Sequence, residues 1–222
     1  DCEVAKFARS KGGHYWRYSD DIVLVLPGSR QDAEKTHDWV SSTLSKYGDA
    51  LKIKAEKTAI GTFTRNNEGS HDYVQCTKAG DPDGIQYLGF RFDGRNVYLR
   101  NSTLSNFYRK ITKRARKQAR HHATRFEGKS KEWLIDHFDF HEFEARFGRV
   151  RDFESVSGKT SWTFWTYARR ASERFGKIGL PILRQVRNYR SYVRKAVSDE
   201  VDKQIANRKV STGAFESSRI AP

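Results

Sequence analysis

Two adjacent aspartates, Asp20 and Asp21, are the residues whose type and spacing most clearly suggest chemistry. They lie between two runs that favour β-strands, 15–18 and 22–26, which predicts a β-hairpin with both acids at its tip. Adjacent carboxylates repel each other, and a divalent cation would relieve that repulsion. Carboxylates are ligands that Mg²⁺ prefers, and two such ions about 4 Å apart can hold an in-line phosphoryl transfer. An ordinary Asp-rich turn without metal is the alternative.

The elements around this tip are predicted to be mixed α/β. The run 22–26 is strongly apolar and predicts a strand that is buried on both faces. A helix should follow, with Ser29 and Asp32 as its capping box and Gly48 as its end. Beyond it, the pattern predicts a strand at 51–54, a loop with at most one short strand over 64–84, and a hairpin of two strands at 85–92 and 96–99.

After Arg100 the apolar residues repeat with a helical period. We predict a first helix with a single apolar face and three further helices at 131–147, 162–175 and 181–207. The apolar face of the first helix is formed by Leu104, Phe107, Ile111, Ala115 and Ala119. Gly176 should end the third helix, and Pro181 suits the first turn of the fourth.

The positive charge is concentrated in the second half of the chain. Residues 1–100 carry 15 lysines and arginines against 14 acidic residues, whereas residues 101–222 carry 27 against 13, out of a net charge of +15. A basic surface that only keeps the protein in solution is possible, but confinement to one half favours a nucleic-acid partner. Two sets of cations are predicted to bind nucleic acid: Arg109, Lys113, Arg116 and Arg120 in the first helix, and Arg184, Arg187, Arg190 and Arg194 in the last.

Composition excludes several classes of protein. With 36% hydrophobic residues, the chain can form a core, and 31% charged residues with 4 prolines argue against a collagen-like or disordered chain. No apolar run approaches the roughly 18 residues of a membrane span, so no membrane association is expected. Two cysteines cannot form a disulfide scaffold, which favours a reducing, cytoplasmic location.

Three ordered motifs resemble those of reverse transcriptases. Residues 17–23, Arg-Tyr-Ser-Asp-Asp-Ile-Val, resemble the catalytic hairpin, in which Tyr-X-Asp-Asp lies between two palm strands. Residues 51–58, Leu-Lys-Ile-Lys-Ala-Glu-Lys-Thr, resemble the next palm motif, whose usual core is a lysine preceded by an acid. Residues 86–92 resemble the primer-grip hairpin with its Leu-Gly-Phe core. The arginine before the tyrosine is similar to bacterial enzymes of the group II intron, retron and phage-defence types.

The resemblance implies a fold and a domain organisation. Residues 1–100 would be the C-terminal part of an α/β polymerase palm, a partial antiparallel sheet with covering helices that includes the primer-grip hairpin. Residues 101–208 would be an all-α basic thumb, and residues 209–222 a polar tail. The motifs cover about residues 14–100, and the remainder is similar only in its basic, helical character.

The resemblance also implies an activity, RNA-directed DNA polymerisation. Asp20 and Asp21 would be catalytic metal ligands for two Mg²⁺ or Mn²⁺ ions, and Lys57 would lie near the leaving pyrophosphate. Nucleic acid would be contacted by Tyr18 and by the primer-grip residues Tyr87, Leu88 and Gly89. The expected partners are an RNA template, a DNA primer and product, and dNTP, with a non-coding RNA as a further candidate and phage defence as the favoured biological system.

The chain departs from the family pattern at its beginning. In this family another metal-binding Asp lies on an earlier palm strand, many tens of residues before the motif, but only 19 residues precede Asp20 here. We therefore expect that the chain is the C-terminal portion of a longer polymerase, that the upstream palm and fingers are missing, and that it is inactive alone. Two alternatives remain open: a catalytically silent RNA-binding module like a splicing-only maturase, and a plain RNA-binding structural protein. The intact Asp-Asp pair argues against the silent module.

Overall fold

A computed structural model of the protein describes residues 1–48, 50–147 and 163–217, with side chains as far as residue 208. The chain divides into two compact units, Asp1–Arg100 and Asn101–Pro222. We call them the first unit and the helical unit and describe each by itself. The division falls where the excess of positive charge begins.

The first unit begins with two helices and a hairpin: helix α1 (Cys2–Ser10), strands β1 (His14–Tyr18) and β2 (Asp21–Val25), and helix α2 (Arg30–Ser45). The predicted hairpin is confirmed, and Tyr18 lies opposite Asp21 in its register. The predicted capping box is also confirmed, because the Ser29 hydroxyl accepts from the Asp32 backbone N–H and the Asp32 carboxylate accepts from the Ser29 N–H.

The prediction that the strand after the aspartates is buried on both faces is wrong. Ile22, Val23 and Leu24 are half-buried, and Val25 is 53% exposed. In the described part of the chain, β2 pairs with β1 alone in a two-stranded sheet. Its other edge therefore has no strand beside it there, and each face is covered only in part.

One further prediction for the first unit is wrong, and one strand was not predicted. Residues 51–54 form no strand; they lead into a 3₁₀ turn at Ala55–Lys57, and Leu51 is 49% exposed. The segment 64–84, predicted to be a loop with at most one short strand, contains the strand β4 (His71–Gln75), which pairs antiparallel with the unpredicted strand β3 (Gly61–Arg65). Aromatic contacts stabilise that pair, because the ring of Phe63 lies 5.1 Å from Tyr73 and 5.4 Å from Phe92, measured between centroids.

The strand predicted at 85–92 is two strands, β5 (Ile85–Tyr87) and β6 (Phe90–Phe92), and β6 also pairs with β7 (Val97–Leu99). Leu88 and Gly89 form the two-residue turn between β5 and β6, with φ of 48° and 84°. Positive φ at both positions matches the twist of a hairpin. Glycine adopts it freely, but leucine does so only under strain.

We expect Leu88→Asn to raise the free energy of unfolding by about 1 kcal/mol, because asparagine tolerates positive φ far better than leucine. Little burial is lost, since Leu88 is 40% exposed. Denaturant midpoints of the wild type and the variant measure the effect. Leu88→Ala is the control, because alanine keeps the strained β-carbon, and equal midpoints for the two variants would contradict the prediction.

The helical unit contains six helices in the described residues: α3 (Asn101–Arg125), α4 (Lys131–Asp136), α5 (Phe140–Phe147), α6 (Phe164–Phe175), α7 (Leu180–Val186) and α8 (Tyr189–Ser217). The predicted apolar face of α3 is confirmed from Phe107 to Ala119, whereas Leu104 is only half-buried. Ala115 and Ala119 on that face, with the buried Ala123 one turn further on, let α3 pack closely along α8. Gly176 ends α6 as predicted, with φ of 62°.

Both long helices that were predicted at 131–147 and 181–207 are broken. The first stops at residue 136, and the Asp139 carboxylate begins a new helix by accepting the Glu142 backbone N–H at 2.7 Å. The second is interrupted at residues 187–188, and α8 then continues to Ser217, so much of the predicted polar tail is helical. Trp162, predicted to open the third helix, and residues 218–222 lie outside the described residues.

The composition predicted neither a membrane span nor a disulfide scaffold. None of the helices in the described ranges carries an apolar stretch able to cross a lipid bilayer. Cys2 and Cys76 both have free thiols.

A half-buried histidine lies where α3 meets α4. His122 contacts the rings of Phe126, Trp133 and Phe138, and its Nε2 atom has no hydrogen-bond partner among the described residues. Burial lowers the pKa of His122; a hydrogen bond with the Leu134 backbone opposes this in part, and the nearby charges of His137 and Arg125 lower the pKa further. Protonation therefore favours the unfolded chain, in which the pKa has its ordinary value.

We expect the free energy of unfolding to decrease as the pH falls through the ordinary histidine value of about 6.5, because the unfolded state then binds the proton more readily than the folded state. His122→Phe should remove that decrease, whereas His121→Gln, at the exposed neighbouring position, should keep it. Urea unfolding at a series of pH values between neutral and mildly acidic measures both. An unchanged decrease in His122→Phe would contradict the assignment.

Candidate active site and nucleic-acid interface

The tip of the first hairpin is a turn of two residues, Ser19 and Asp20, and Ser19 adopts a positive φ of 53°. Arg17 holds this turn in place, since its Nε donates to the Ser19 carbonyl oxygen at 2.7 Å. The same guanidinium pairs with the Asp1 carboxylate at 2.9 Å, and the Tyr15 hydroxyl donates to that carboxylate at 2.6 Å. The turn is thereby fixed to the start of α1.

The alternation of β1 separates its side chains into two sets. Tyr15 and Arg17 project from the face that meets Asp1, so Trp16 and Tyr18 project from the other face. They are 49% and 67% exposed. Because cross-strand neighbours share a face and Tyr18 lies opposite Asp21, an exposed aromatic ring stands beside one of the two carboxylates.

Asp20 lies in the turn, whereas Asp21, predicted to share the tip with it, is the first residue of β2, and both carboxylates are exposed to solvent. Neither Asp20 nor Asp21 makes a side-chain hydrogen bond or an ion pair with another described residue. Solvent therefore screens the repulsion between the two carboxylates.

The pair fits part of a Mg²⁺ site. Mg²⁺ is usually bound by one or two carboxylates, with phosphate oxygens and water completing the octahedron. Within the described ranges, no group of three or more His, Cys, Asp or Glu residues could hold a metal ion. Asp20 and Asp21 are thus the two ligands that the tip can offer, and the remaining positions would fall to substrate phosphates and water.

The other predicted palm residues form hydrogen bonds that do not involve the hairpin tip. Lys57 is exposed at the end of its 3₁₀ turn, where its backbone N–H donates to the Lys54 carbonyl at 2.9 Å. The primer-grip turn is anchored to the end of β7, since the Gly89 carbonyl accepts the Arg100 N–H at 2.8 Å. Among the described residues, no hydrogen bond or ion pair joins Lys57 or Tyr87 to either aspartate of the tip.

Sequence reasoning missed the supporting role of Arg17 and the exposure of Trp16. The signal was present in the strand alternation, which places Arg17 and Tyr18 on opposite faces. The partner of Arg17 could not be read from the sequence, because Asp1 lies on a different element.

All four predicted nucleic-acid-binding cations of α3 are exposed, but they are not equivalent. Arg109 donates only to the Asn106 amide oxygen at 2.9 Å, and Lys113 and Arg116 have no acidic partner among the described residues. Arg120 instead donates to Glu200 at 2.8 Å, and Glu200 is only 5% exposed. Three of the four predicted cations of α3 are therefore available for phosphate.

The ion pair of Arg120 compensates a buried acid. Burial raises the pKa of Glu200, but hydrogen bonds from Arg120 and Gln204 outweigh burial and hold that pKa below its usual value. Glu200 is therefore charged near neutral pH, and the ion pair with Arg120 compensates for the burial of that charge. The main role of Arg120 is therefore to stabilise the helical unit rather than to bind nucleic acid.

The second predicted set of cations is divided in the same way. Arg190 pairs with Glu144 of α5 at 2.6 Å, and the guanidinium of Arg194 lies 4.7 Å from the centroid of the Phe140 ring. Arg184 and Arg187 are exposed and form no ion pair with a described residue. Two cations of this set hold α5 against α8, and two remain open to a ligand.

A comparison of the sequence with known protein families finds no match, and a comparison with curated proteins finds none. The features that bear on function are therefore the geometry of the hairpin tip, the distribution of charge and the motif resemblance.

Proposed function

We propose that the chain is the C-terminal palm and thumb portion of a reverse transcriptase, an RNA-directed DNA polymerase. One observation carries the proposal: the Tyr-Ser-Asp-Asp sequence forms the end of a β-hairpin with a two-residue turn, and both carboxylates are solvent-exposed there. A tip of this kind can present two negative ligands to a cation without unfolding either strand.

In the proposed reaction, the primer 3′-hydroxyl gives its proton to solvent water as its oxygen forms a bond to the α-phosphorus of a dNTP, and the bond from that phosphorus to the bridging oxygen breaks as pyrophosphate leaves. Asp20 and Asp21 would hold the divalent cations, Mg²⁺ or Mn²⁺. When bound, these ions stabilise the charge that develops on the attacking and leaving oxygens. Tyr18 offers its exposed ring to the primer end beside Asp21.

Two further parts of the first unit are assigned through the motif resemblance. The exposed ammonium of Lys57 would neutralise charge on the leaving pyrophosphate. The turn formed by Leu88 and Gly89 would contact the primer backbone, because glycine permits a close approach. Strain at Leu88 is the kind of backbone feature that persists at functional sites.

The helical unit would bind the template and primer through their phosphates. Its support is the charge of residues 101–222, in which 27 lysines and arginines face 13 acids, and the lack of an acidic partner in the described chain for three of the four predicted cations of α3, Arg109, Lys113 and Arg116. Lysine and arginine bind phosphates whatever the base sequence. A polymerase must bind its template and primer in this sequence-independent way. A role in phage defence, a non-coding RNA partner and a cytoplasmic location stay predictions.

A catalytically silent RNA-binding module is the second candidate. It needs only the basic surface of the helical unit, where Arg109, Lys113 and Arg116 are exposed and have no acidic partner among the described residues. In that case the basic helices would hold RNA and the hairpin tip would perform no chemistry.

Primer extension with the full-length protein distinguishes the two candidates. The protein is given an RNA template, a DNA primer, dNTPs and Mg²⁺, and template binding is measured in parallel. We expect both binding and extension, and extension should stop when the metal is chelated. Binding without extension would support the silent module, and absence of binding would contradict both candidates.

A further inference from the structure

An exposed apolar corner joins α6 to α7 in the helical unit. Phe175, Ile178 and Leu180 are 39%, 42% and 52% exposed there. Gly176 ends α6 with a positive φ, and a 3₁₀ turn at Gly176–Gly179 follows. A β-carbon at Gly179 would lie 2.8 Å from the Ser172 carbonyl oxygen, so the turn is tightly packed on its inner side.

Cations continue this surface along α7. Leu180, Arg184 and Arg187 follow one another at spacings of four and three, which places them on one helical face. Ile182 and Val186 are fully buried on the opposite face. The exposed face of α7 therefore begins with an apolar side chain and continues with two arginines.

The charge around the corner has a single sign. Arg184, Arg187 and Lys177 are exposed and form no ion pair with a described residue. Glu173, the nearest acid along the chain, is already paired with Arg169 at 2.8 Å. An apolar centre with a cationic border fits a ligand that combines apolar faces with negative charge.

We propose that this corner surface, formed by Phe175, Lys177, Ile178, Leu180, Arg184 and Arg187, binds single-stranded nucleic acid. The apolar side chains would contact unpaired bases, and the cations would contact the adjoining phosphates. A duplex is a poorer ligand, because its base faces are stacked and would have to be separated first. The inference rests on the proposed nucleic-acid binding of the helical unit and adds a site for the unpaired template strand.

The test uses the double variant Ile178→Ser with Leu180→Ser in the 222-residue chain, with a short single-stranded RNA and the blunt duplex of the same length as probes. We expect about tenfold weaker binding of the single strand, with the salt dependence unchanged, because the lost contacts are apolar. Duplex binding should stay within about twofold, since stacked bases do not reach the corner. Val74→Ser is the control, because Val74 is a 58% exposed apolar residue of the first unit.

A second pair of substitutions tests the cationic part of the surface. Arg184→Gln with Arg187→Gln should reduce the slope of log affinity against log salt for the single strand by about 0.7 for each charge removed. Far-ultraviolet circular dichroism and thermal midpoints check that each variant is folded. A 2-aminopurine base in the RNA tests the proposal without any substitution, because contact with the corner surface changes the fluorescence of that base. No fluorescence change when the wild-type protein binds would overturn the proposal.

Failure of this inference is distinguishable from failure of the proposed function. Unchanged single-strand affinity in the corner variants, with weaker binding in Arg109→Gln, would overturn the corner and leave the helical unit as a nucleic-acid-binding unit. The inference would also be overturned if the corner variants lost affinity equally for the single strand and the duplex. A loss of self-association in these variants, with RNA binding unchanged, would overturn it too. No RNA binding by the wild type would contradict both proposals.

Discussion

Replacing Asp20 by Asn should reduce dNTP incorporation by the full-length protein by about two orders of magnitude or more, because the proposed metal site would lose one charged ligand at the reacting phosphate. Template binding should be largely retained, since the predicted phosphate contacts lie in the helical unit. The fold should also be retained, because the Asp20 side chain makes no hydrogen bond or ion pair with a described residue. Primer-extension rates, measured beside RNA-binding isotherms, check both expectations.

The matched control for this substitution is Asp38→Asn on α2. Asp38 is also an aspartate of the first unit, with its side chain 83% exposed, and its replacement should leave the extension rate unchanged. Full activity in Asp20→Asn would show that the hairpin tip does not hold a catalytic metal. A parallel loss of RNA binding would indicate a structural role for Asp20 instead.

Removing three cations of α3 together, Arg109→Gln, Lys113→Gln and Arg116→Gln, should flatten the salt dependence of nucleic-acid binding. Each cation that neutralises a phosphate contributes about 0.9 to the slope of log affinity against log salt, so the slope should fall by about 2.7. Between about 50 and 200 mM salt, the wild type should lose roughly 40-fold more affinity than the variant. Fluorescence anisotropy with a duplex at several salt concentrations measures this difference.

The control for the triple variant removes equal charge from another helix. Arg30, Lys35 and Lys46 are exposed residues of α2 or its C-terminal end, and replacing all three by glutamine lowers the net charge by the same amount. If both triple variants flatten the slope equally, α3 is not the contact surface and only the total charge matters.

Arg120 should behave differently from its neighbours on α3. Its replacement leaves the buried Glu200 carboxylate without its partner, so Arg120→Gln should destabilise the protein by about 1–3 kcal/mol and change the salt dependence little. This distinction could not be made from sequence, because all four cations share one spacing pattern.

Local signals allowed the correct prediction of several elements. The capping box of Ser29 and Asp32 and the stop at Gly176 each depend on residues within a few positions of each other. The buried face of α3 follows directly from the spacing of its apolar residues. For the candidate site, the same kind of signal placed Asp20 in the hairpin turn and Tyr18 on the neighbouring strand.

Tertiary contacts decided the features that the sequence did not reveal. Leu88 has a poor propensity for positive φ, yet the pairing of β5 with β6 and the Gly89–Arg100 hydrogen bond require a turn there. The half-exposed state of β2 depends on the number of strands beside it. The pairing of Arg120 with Glu200 joins two helices 80 positions apart, and no local pattern indicates it.

The claim that Asp20 and Asp21 hold the catalytic metal can be tested directly by mapping hydroxyl-radical cleavage in the full-length protein. Fe²⁺ is bound in place of Mg²⁺ with ascorbate and peroxide present, and the cut sites are read by mass spectrometry. We expect cleavage of the chain around the turn between β1 and β2, suppressed by excess Mg²⁺ and lost in Asp20→Asn. Cleavage confined to other segments, or a pattern that Asp20→Asn leaves unchanged, would contradict it.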